Sequence, residues 1–292
     1  MNRRTFLTGI AMLAATAGCR PRASATTIGS KNFTEQLILG ELLAQYLEAA
    51  TARPIARRFY LAGTYICHQA LLAGRIDMYV EYTGTALAAI LKAQPLADHE
   101  QVFHLIKDEY ARRFNLEVLP SLGFDNSFAI VARPEMRSLG VSKLSQIAPY
   151  SPKLRMGVGY EFLERPDGYH GLAAKYDLKF AEAPRVMDLG LLYRALENQQ
   201  VDLIAANNTD GLIAARGLVV LEDDLHYFPP YDAVPIVRKD CLRSSPQIAA
   251  ALSQLSGRIN AEEMRQLNYA IDGEKKDVAI VVREFLARKR LA

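Results

Sequence analysis

Apolar residues recur along the chain in two spacings, and these spacings predict strands that alternate with helices. Short apolar runs bounded by turn residues predict strands, whereas apolar residues three and four positions apart predict helices with one buried face. Residues 26–80 give the order strand, helix, strand, helix, strand, and residues 154–205 give the same order again. Strands and helices joined by short connections are typical of a mostly parallel sheet covered by helices. The chain is therefore predicted to be an α/β protein with two similar halves.

The predicted elements cover most of residues 26–288. Thr34 is predicted to cap the first helix, because its hydroxyl can accept from the free N–H groups of the first turn. The predicted strands are 26–30, 54–60, 78–80, 154–158, 179–182, 201–205, 219–221 and 234–238, with a long extended run over 118–133. The predicted helices are 35–49, 63–73, 86–92, 99–114, 168–176, 186–197, 245–257, 261–271 and 276–288.

Two segments repeat each other at a distance of 125 positions. Residues 77–85 read DMYVEYTGT and residues 202–210 read DLIAANNTD, and each is a short apolar strand that ends in a polar elbow. A second pair, FAIVAR at 128–133 and AVPIVR at 233–238, also shares its pattern. Ligands of open α/β sheets bind outside the carboxyl ends of the strands. The elbows 82–85 and 207–210 are therefore predicted to meet at a cleft between two lobes.

The order of the elements predicts how the chain is divided. The extended run breaks at Asp125-Asn126, which we interpret as the first crossing between lobes, and residues 234–238 form the second crossing. The first lobe is predicted to comprise 26–125 and 232–292, and the second lobe 126–231. Two hinge strands suit the closure of one lobe on the other.

The first 25 residues are predicted to be an export signal and tether rather than part of the fold. Arg3 and Arg4 precede an apolar segment at 6–17 that is too short to span a membrane. The start of the chain resembles a twin-arginine signal, and Thr16-Ala-Gly-Cys19 resembles a bacterial lipobox. Lipidation of Cys19 would anchor an exported domain, and the alternative is ordinary cleavage after Ala25. The predicted location is periplasmic.

Composition excludes several other classes of protein. A hydrophobic content of 50% and a charged content of 23% are typical of a soluble globular protein. Without residues 1–18, which contain only Arg3 and Arg4 among charged groups, the chain is close to neutral, which argues against a nucleic-acid partner. The five histidines show no metal-ligand spacing and no nucleophile–base motif, so no metal, no cofactor and no catalysis are predicted. Cys67 and Cys241 are predicted to be buried free thiols.

Three aromatic residues stand at the ends of predicted strands, namely Tyr82, Phe128 and Tyr231. Any one of them could be an ordinary half-buried ring, but three that face a cleft suggest a binding site. Ring faces attract a quaternary ammonium, which has no N–H to donate. Residues that could hold an anionic group lie nearby: Lys31, Asn32, Thr85, Asn126 and Arg165.

Six motifs in order along residues 26–290 resemble the glycine betaine, choline and carnitine binding proteins of osmoprotectant ABC importers. The resemblance implies a two-lobed periplasmic-binding-protein fold of type II, no catalysis, and delivery of a compatible solute to a membrane permease. The motifs are SKNFTEQ at 30–36, EYTGT at 81–85, LGFDN at 122–126, FLERPDG at 162–168, TDG at 209–211 and FPPY at 228–231.

The resemblance also implies roles for individual residues. Tyr82 and Tyr231 match tyrosines of an aromatic cage, and Phe128 stands where the family usually has a third tyrosine. Lys31, Thr85, Asn126 and Arg165 match positions associated with a ligand carboxylate or with closing contacts. Asn207 departs from the family, because it replaces an aromatic wall of the cage.

That departure leaves two alternatives open. The same scaffold could bind a different small amine or amino-acid-like ligand through Asn207. It could also act as a sensor whose ligand regulates a partner protein.

Overall fold

The computed structural model describes residues 25–291, which fold into two lobes built on two five-stranded sheets. The export signal and the lipidation of Cys19 concern residues outside this described part. In chain order the strands are β1 (Thr26–Gly29), β2 (Ile55–Arg58), β3 (Met78–Tyr82), β4 (Leu116–Val118), β5 (Phe128–Ala132), β6 (Met156–Val158), β7 (Arg185–Val186), β8 (Leu203–Asn207), β9 (Val219–Leu221) and β10 (Ala233–Arg238).

Helices cover both sheets. The α-helices are α1 (Thr34–Thr51), α2 (Thr64–Leu72), α3 (Thr83–Thr85), α4 (His99–Phe114), α5 (Tyr160–Glu164), α6 (Tyr169–Lys175), α7 (Leu189–Glu197), α8 (Gly211–Ala215), α9 (Lys239–Ser244), α10 (Pro246–Gln254), α11 (Ala261–Asp272) and α12 (Val278–Lys289). A π-helical turn, Ala86–Ile90, continues α3, and three 3₁₀ helices lie at Pro134–Leu139, Leu144–Ile147 and Ser151–Lys153.

The two sheets have the same architecture. The first has the order β2-β1-β3-β10-β4 and the second the order β7-β6-β8-β5-β9. In each sheet the first three strands are parallel, and the fourth and fifth pair antiparallel to their neighbours. Tyr82 pairs with Ala233 and Asn207 pairs with Phe128, so Tyr82 and Asn207 occupy equivalent strand ends. The internal repeat in the sequence is therefore a repeat of structure, and the two-lobed α/β fold is confirmed.

The two crossings between the lobes run side by side. Asp125 and Asp232 form an antiparallel bridge, and the N–H of Asn126 donates to the carbonyl of Tyr231 at 3.0 Å. The fourth strand of each sheet, β10 or β5, is reached directly after a crossing, so closure at the hinge moves the strand ends that line the cleft. The predicted lobe boundaries at 125–126 and 231–232 stay predictions.

Each lobe buries an apolar layer on either side of its sheet. On one face of the first sheet, α1 contributes fully buried residues such as Leu39 and Leu43, and the C-terminal helices pack against it. Leu252 and Phe285 belong to the same cluster. The second lobe repeats this arrangement with a cluster on each face of its sheet. The C-terminal helices thus cover the first lobe, as the sequence predicts.

Some predicted elements are wrong in detail. The predicted strand 179–182 is not a strand, because the edge of the second sheet is formed by Arg185, which pairs with Gly157. Phe180 instead turns toward the core of the second lobe. Thr34 does not cap α1, because it is the first residue of that helix and its hydroxyl donates to Oδ1 of Asp272 at 2.7 Å.

Other helix boundaries differ from the prediction, because the residue that caps a helix fixes where the helix begins. The helix predicted from residue 186 begins at Leu189, because Asp188 accepts a hydrogen bond from the N–H of Gly190. The extended run 118–133 contains an irregular segment between β4 and β5, and the short helices α5, α8 and α9 were not predicted. Cys67 and Cys241 are buried free thiols, as predicted. Across residues 25–291, none of the helices has the length and apolar character needed to cross a membrane.

Candidate functional site: the cleft between the lobes

A cleft of about 830 Å³ separates the two lobes. Its walls include all nine residues that the sequence singles out for ligand binding, namely Lys31, Asn32, Tyr82, Thr85, Asn126, Phe128, Arg165, Asn207 and Tyr231. Topology explains why they meet. Tyr82 ends β3, Asn207 ends β8 and Phe128 begins β5, so the edges of both sheets face the same space. The roles of these residues stay predictions.

The aromatic residues form two groups on the cleft wall. The ring of Phe128 lies 5.5 Å from that of Tyr231 and 4.8 Å from that of Phe162, centroid to centroid. Tyr82 stacks with Phe33 at 6.4 Å. Phe33 and Phe162 also line the cleft, although sequence reasoning missed them. Both belong to motifs quoted above, so their place in those motifs was the signal that could have found them.

Both cations of the predicted site are paired with buried carboxylates. The ammonium of Lys31 forms a salt bridge with Glu81 and donates to the hydroxyl of Thr64 at 3.1 Å. Arg165 forms a salt bridge with Asp167 and donates to the hydroxyl of Thr85 at 3.0 Å. Each cationic group is therefore neutralised by the protein itself.

The same cations lie against the aromatic rings. Nζ of Lys31 is 4.7 Å from the ring centroid of Tyr82. The guanidinium carbon of Arg165 is 5.0 Å from the ring centroid of Phe128 and 5.8 Å from that of Tyr231. These contacts, together with the ion pairs, fix the rings within the cleft.

The hydroxyls of the two predicted cage tyrosines hold buried carboxylates. Tyr231 donates to Oδ2 of Asp167 at 2.5 Å, and Tyr82 donates to Oε1 of Glu35 at 2.6 Å. Removing either hydroxyl would leave a buried carboxylate short of a donor, which costs more than the hydrogen bond alone. A Tyr→Phe change in this site is therefore more than a test of the hydroxyl's contact with a ligand.

Glu35 is the main functional candidate that sequence reasoning missed. Its carboxylate is 2% exposed and accepts from the side chains of Tyr82, Asn126, Thr209 and Asn268. Burial raises the pKa of Glu35, and the hydrogen bonds oppose that rise. In the sequence, Glu35 looks like an ordinary acidic residue in the first turn of a helix.

Asp210 is a second carboxylate on the cleft wall. Its Oδ2 accepts from the hydroxyl of Tyr193 at 2.7 Å and from the backbone N–H of Asn207 at 3.2 Å. Burial raises the pKa of Asp210 to about 7, against an ordinary value of 3.8. The backbone N–H of Asn207 is thus held by Asp210 of the same elbow, and Asn207 lines the cleft.

The lobes touch each other across the cleft in this structure. The N–H of Thr64 in the first lobe donates to Oε1 of Glu161 in the second at 2.6 Å. The bonds from Arg165 to Thr85 and from Thr209 to Glu35 also join the two lobes. The arrangement is therefore a closed one.

Three potential metal ligands meet near the hinge, namely His99, Asp125 and Asp232. His99 is exposed, and its Nδ1 lies 2.7 Å from Oδ2 of Asp232. Both oxygens of Asp125 already accept backbone N–H groups, from Ser127 at 2.9 Å and from Tyr231 at 2.5 Å. The bond from Tyr231 joins the two crossings, and the two bonds together account for the carboxylate of Asp125 without a metal ion.

The protein is a solute-binding protein of the type II periplasmic fold. This class is defined by two α/β lobes with mixed parallel and antiparallel sheets, two adjacent crossings, and a cleft lined from both sides. Residues 25–288 match the family described as the substrate binding domain of ABC-type glycine betaine transport systems. The chain belongs to this family, whose members are substrate-binding proteins of ABC importers.

Individual relatives agree with this assignment. The chain is 33% identical to the carnitine transport binding protein OpuCC of Listeria monocytogenes, over 89% of this chain and 85% of that protein. It is 35% identical to the ergothioneine transport permease/ergothioneine binding protein EgtU of Helicobacter pylori, over 89% of this chain but 47% of that longer protein. A crystal structure of a glycine betaine/carnitine/choline ABC transporter superposes with a TM-score of 0.75, at 31% identity, and the match covers 91% of this chain and 99% of that one.

Proposed function

We propose that the protein binds a small quaternary-ammonium solute in the cleft, with the cationic head against the rings of Tyr82, Phe128 and Tyr231, and delivers it to an ABC permease. The observation that carries this proposal is the convergence of these rings on one cleft, in which Lys31 and Arg165 are both already paired with carboxylates. Glycine betaine, choline and carnitine are the candidate ligands.

Charge supports a cationic ligand. Glu81 neutralises Lys31 and Asp167 neutralises Arg165, whereas the described hydrogen-bond partners of Glu35 include no cation. When Glu35 is ionised, its negative charge therefore lies beside the ring of Tyr82 without a cation among its described hydrogen-bond partners. Negative charge and ring faces act together on a positive head group.

An anionic end of the ligand would meet the remaining donors of Arg165 and Lys31. A guanidinium has five N–H groups and an ammonium has three. The described contacts of Arg165 use three of its N–H groups, and those of Lys31 use two. Donors from opposite lobes therefore remain for a carboxylate, although each belongs to an ion pair that is already neutral. We expect a carboxylate to add modestly to affinity.

The second candidate is a larger ligand on the same scaffold. Glycine betaine would fill a small part of a cleft of about 830 Å³, a size within the range of sites for drug-sized ligands. The equivalent of Tyr82 in the second lobe is Asn207, so an amide replaces a ring at that wall. A ligand with a polar arm could form a hydrogen bond with this amide. One relative of the chain, EgtU, is named for a different ligand, ergothioneine.

Membrane attachment and export complete the proposal. Members of this family work outside the cytoplasm, and Cys19 precedes the folded domain by a few residues. We propose that lipidation of Cys19 tethers the protein near its permease, after export by a signal that resembles the twin-arginine type. Mass spectrometry of the mature protein would detect the lipid, and a mature chain that starts after Ala25 would contradict it.

The proposal is tested by calorimetry at the one cage ring that has no hydroxyl. Parent, Phe128→Leu and Phe128→Tyr would be titrated with choline, glycine betaine, carnitine and ergothioneine. Loss of one cation–π contact of ~0.5–2 kcal/mol predicts a roughly two- to thirty-fold weaker binding of quaternary ammonium ligands by the Leu variant. Phe128→Tyr should bind like the parent, because it keeps the ring.

Phe180→Leu is the matched control, because Phe180 is a partly buried ring of the second lobe that does not line the cleft. It should leave affinity unchanged. Equal affinities of the parent and Phe128→Leu would remove the cage from the proposal. Binding of none of the four compounds by the parent would reject the function itself. Selective binding of ergothioneine would favour the second candidate.

A further inference from the structure

We infer that Glu35 is a positioning residue of the ligand site, which ties the ring of Tyr82 to the second lobe through Thr209 when the lobes close. This inference rests on the proposed function, because it assigns Glu35 a part in holding the closed, ligand-bound form. It concerns a residue that reaches the ligand through its neighbours.

Each oxygen of the Glu35 carboxylate accepts two hydrogen bonds. Oε1 of Glu35 accepts from the hydroxyl of Tyr82 at 2.6 Å and from Nδ2 of Asn126 at 2.7 Å. Oε2 accepts from the hydroxyl of Thr209 at 2.6 Å and from Nδ2 of Asn268 at 3.0 Å. A single carboxylate therefore joins a ring of the predicted cage, the first crossing, the elbow of the second lobe and a C-terminal helix.

The partners of Glu35 come from both lobes. Glu35 lies on α1, Tyr82 on β3 and Asn268 on α11, and all three belong to the first lobe. Thr209 follows β8 of the second lobe and is completely buried. Asn268 also donates to the carbonyl of Thr209 at 3.0 Å. The first lobe thus grips this one residue of the second lobe by both its side chain and its backbone.

The hydrogen bond between Glu35 and Thr209 can form whether Glu35 is ionised or protonated. The hydroxyl of Thr209 has one proton but two acceptors, Oε2 of Glu35 at 2.6 Å and Oδ1 of Asn126 at 2.9 Å. When Glu35 is ionised, the hydroxyl of Thr209 donates its hydrogen bond to the carboxylate, since hydrogen bonds to charged groups are the stronger ones. When Glu35 is protonated, it donates to Thr209, and Thr209 donates to Asn126. The two lobes are joined in both states.

The absence of a cation among the described partners of Glu35 makes these bonds important. A buried carboxylate without a counter-ion is stabilised only by its donors, and each donor lost leaves part of its desolvation cost uncompensated. Opening of the lobes would carry Thr209 away and leave Asn268 as the remaining protein donor to Oε2. The tie therefore lowers the free energy of the closed form, which is populated when ligand is bound, and in that form the ring of Tyr82 is held in place on the cleft wall.

The test compares Thr209→Val with Thr209→Ser. Valine has the shape of threonine without its hydroxyl, whereas serine keeps the hydroxyl. Removing a hydrogen bond to a charged group should weaken binding by about tenfold or more in the valine variant, with choline as the probe. We expect the weaker binding of Thr209→Val to appear as faster dissociation of choline. We also expect this variant to compact less than the parent in X-ray scattering at saturation. Thr209→Ser should bind and compact like the parent.

Melting without ligand separates this role from a merely structural one. If the tie belongs to the closed form, the ligand-free parent and both variants should melt at the same temperature. A lower melting temperature for Thr209→Val alone would show a contact of the open form as well and would overturn the inference. Parental affinity and compaction in Thr209→Val would overturn it too.

Failure of the proposed function would look different. The parent would then bind none of the four compounds. If only the tie is wrong, the parent binds its ligand and Thr209→Val binds it with the same affinity. In the absence of binding, the melting comparison still decides, because a Thr209 contact that matters without ligand is not a closing contact.

Discussion

Replacing Asp210 by Asn should make the protein less sensitive to alkaline pH. Burial raises the pKa of this carboxyl to about 7, from an ordinary value of 3.8. A raised carboxyl pKa means that the folded state binds the proton more tightly than the unfolded state. The stabilisation from that proton is complete below the unfolded pKa and is lost as the pH rises through the folded pKa.

The size of the effect follows from the two pKa values. Each unit of difference is worth about 1.4 kcal/mol, so the free energy of unfolding should fall by about 2–3 kcal/mol between pH 5 and pH 8.5 because of this group alone. The asparagine side chain of the variant has no proton to lose in this pH range. Its amide oxygen can still accept from the hydroxyl of Tyr193 and the N–H of Asn207, which bond one oxygen of Asp210 in the parent.

Urea unfolding of the parent and Asp210→Asn at several pH values would measure this directly. The difference in the free energy of unfolding should grow in favour of the variant as the pH rises, since the contributions of groups that do not interact with Asp210 cancel. Asp188→Asn is the control for removing a carboxylate from an exposed position on the same cleft wall. A parent–variant difference that stays constant with pH would refute the reasoning and would show that Asp210 is not buried enough to shift.

Two further predictions test the packing around the site. Gly84→Ala should lower the free energy of unfolding by about 1–3 kcal/mol and weaken ligand binding, because a Cβ at Gly84 would lie 2.7 Å from the carbonyl oxygen of Pro230 and 2.8 Å from the ring of Tyr231. Gly190→Ala, where the nearest atom is 3.3 Å away, is the matched control for urea unfolding and calorimetry, and equal effects of the two changes would contradict the steric account. Cys67 should resist alkylation at pH 8 in the native protein, because burial raises the pKa of its thiol to about 12. Mass spectrometry should find it modified only after unfolding, and rapid native labelling would show that α2 opens.

Short-range signals predicted much of the fold. Apolar spacing placed β1, β3, β8 and β9 and the helices α1, α4 and α11 to within a few residues, because a strand or helix that buries one face must repeat its apolar residues with a fixed period. The echo between 77–85 and 202–210 predicted two similar lobes. It also predicted which elbows meet, since the ends of equivalent strands lie at equivalent edges of their sheets.

The same signals failed where local pattern and local structure diverge. The second-lobe edge strand is two residues long and exposed, so it has no apolar period to detect. Thr34 looks like a cap, but its hydroxyl donates a hydrogen bond to the side chain of Asp272, which is 238 positions away in the sequence. Caps and edges depend on a few hydrogen bonds, which residue type alone does not fix.

By itself, the sequence predicted a part of the residues that line the cleft, and the tertiary structure added others, such as Phe33 and Phe162, and decided what each of them contacts. Lys31 pairs with Glu81 across 50 positions, and Glu35 binds Thr209 across 174. Such pairs form only when α1, β3 and the second-lobe elbow are packed together, and nothing in the spacing of residues along the chain encodes the distance between their side chains. The periodic burial of apolar residues can be predicted from sequence because it is local, whereas the pairing of buried charges is a property of the packed molecule.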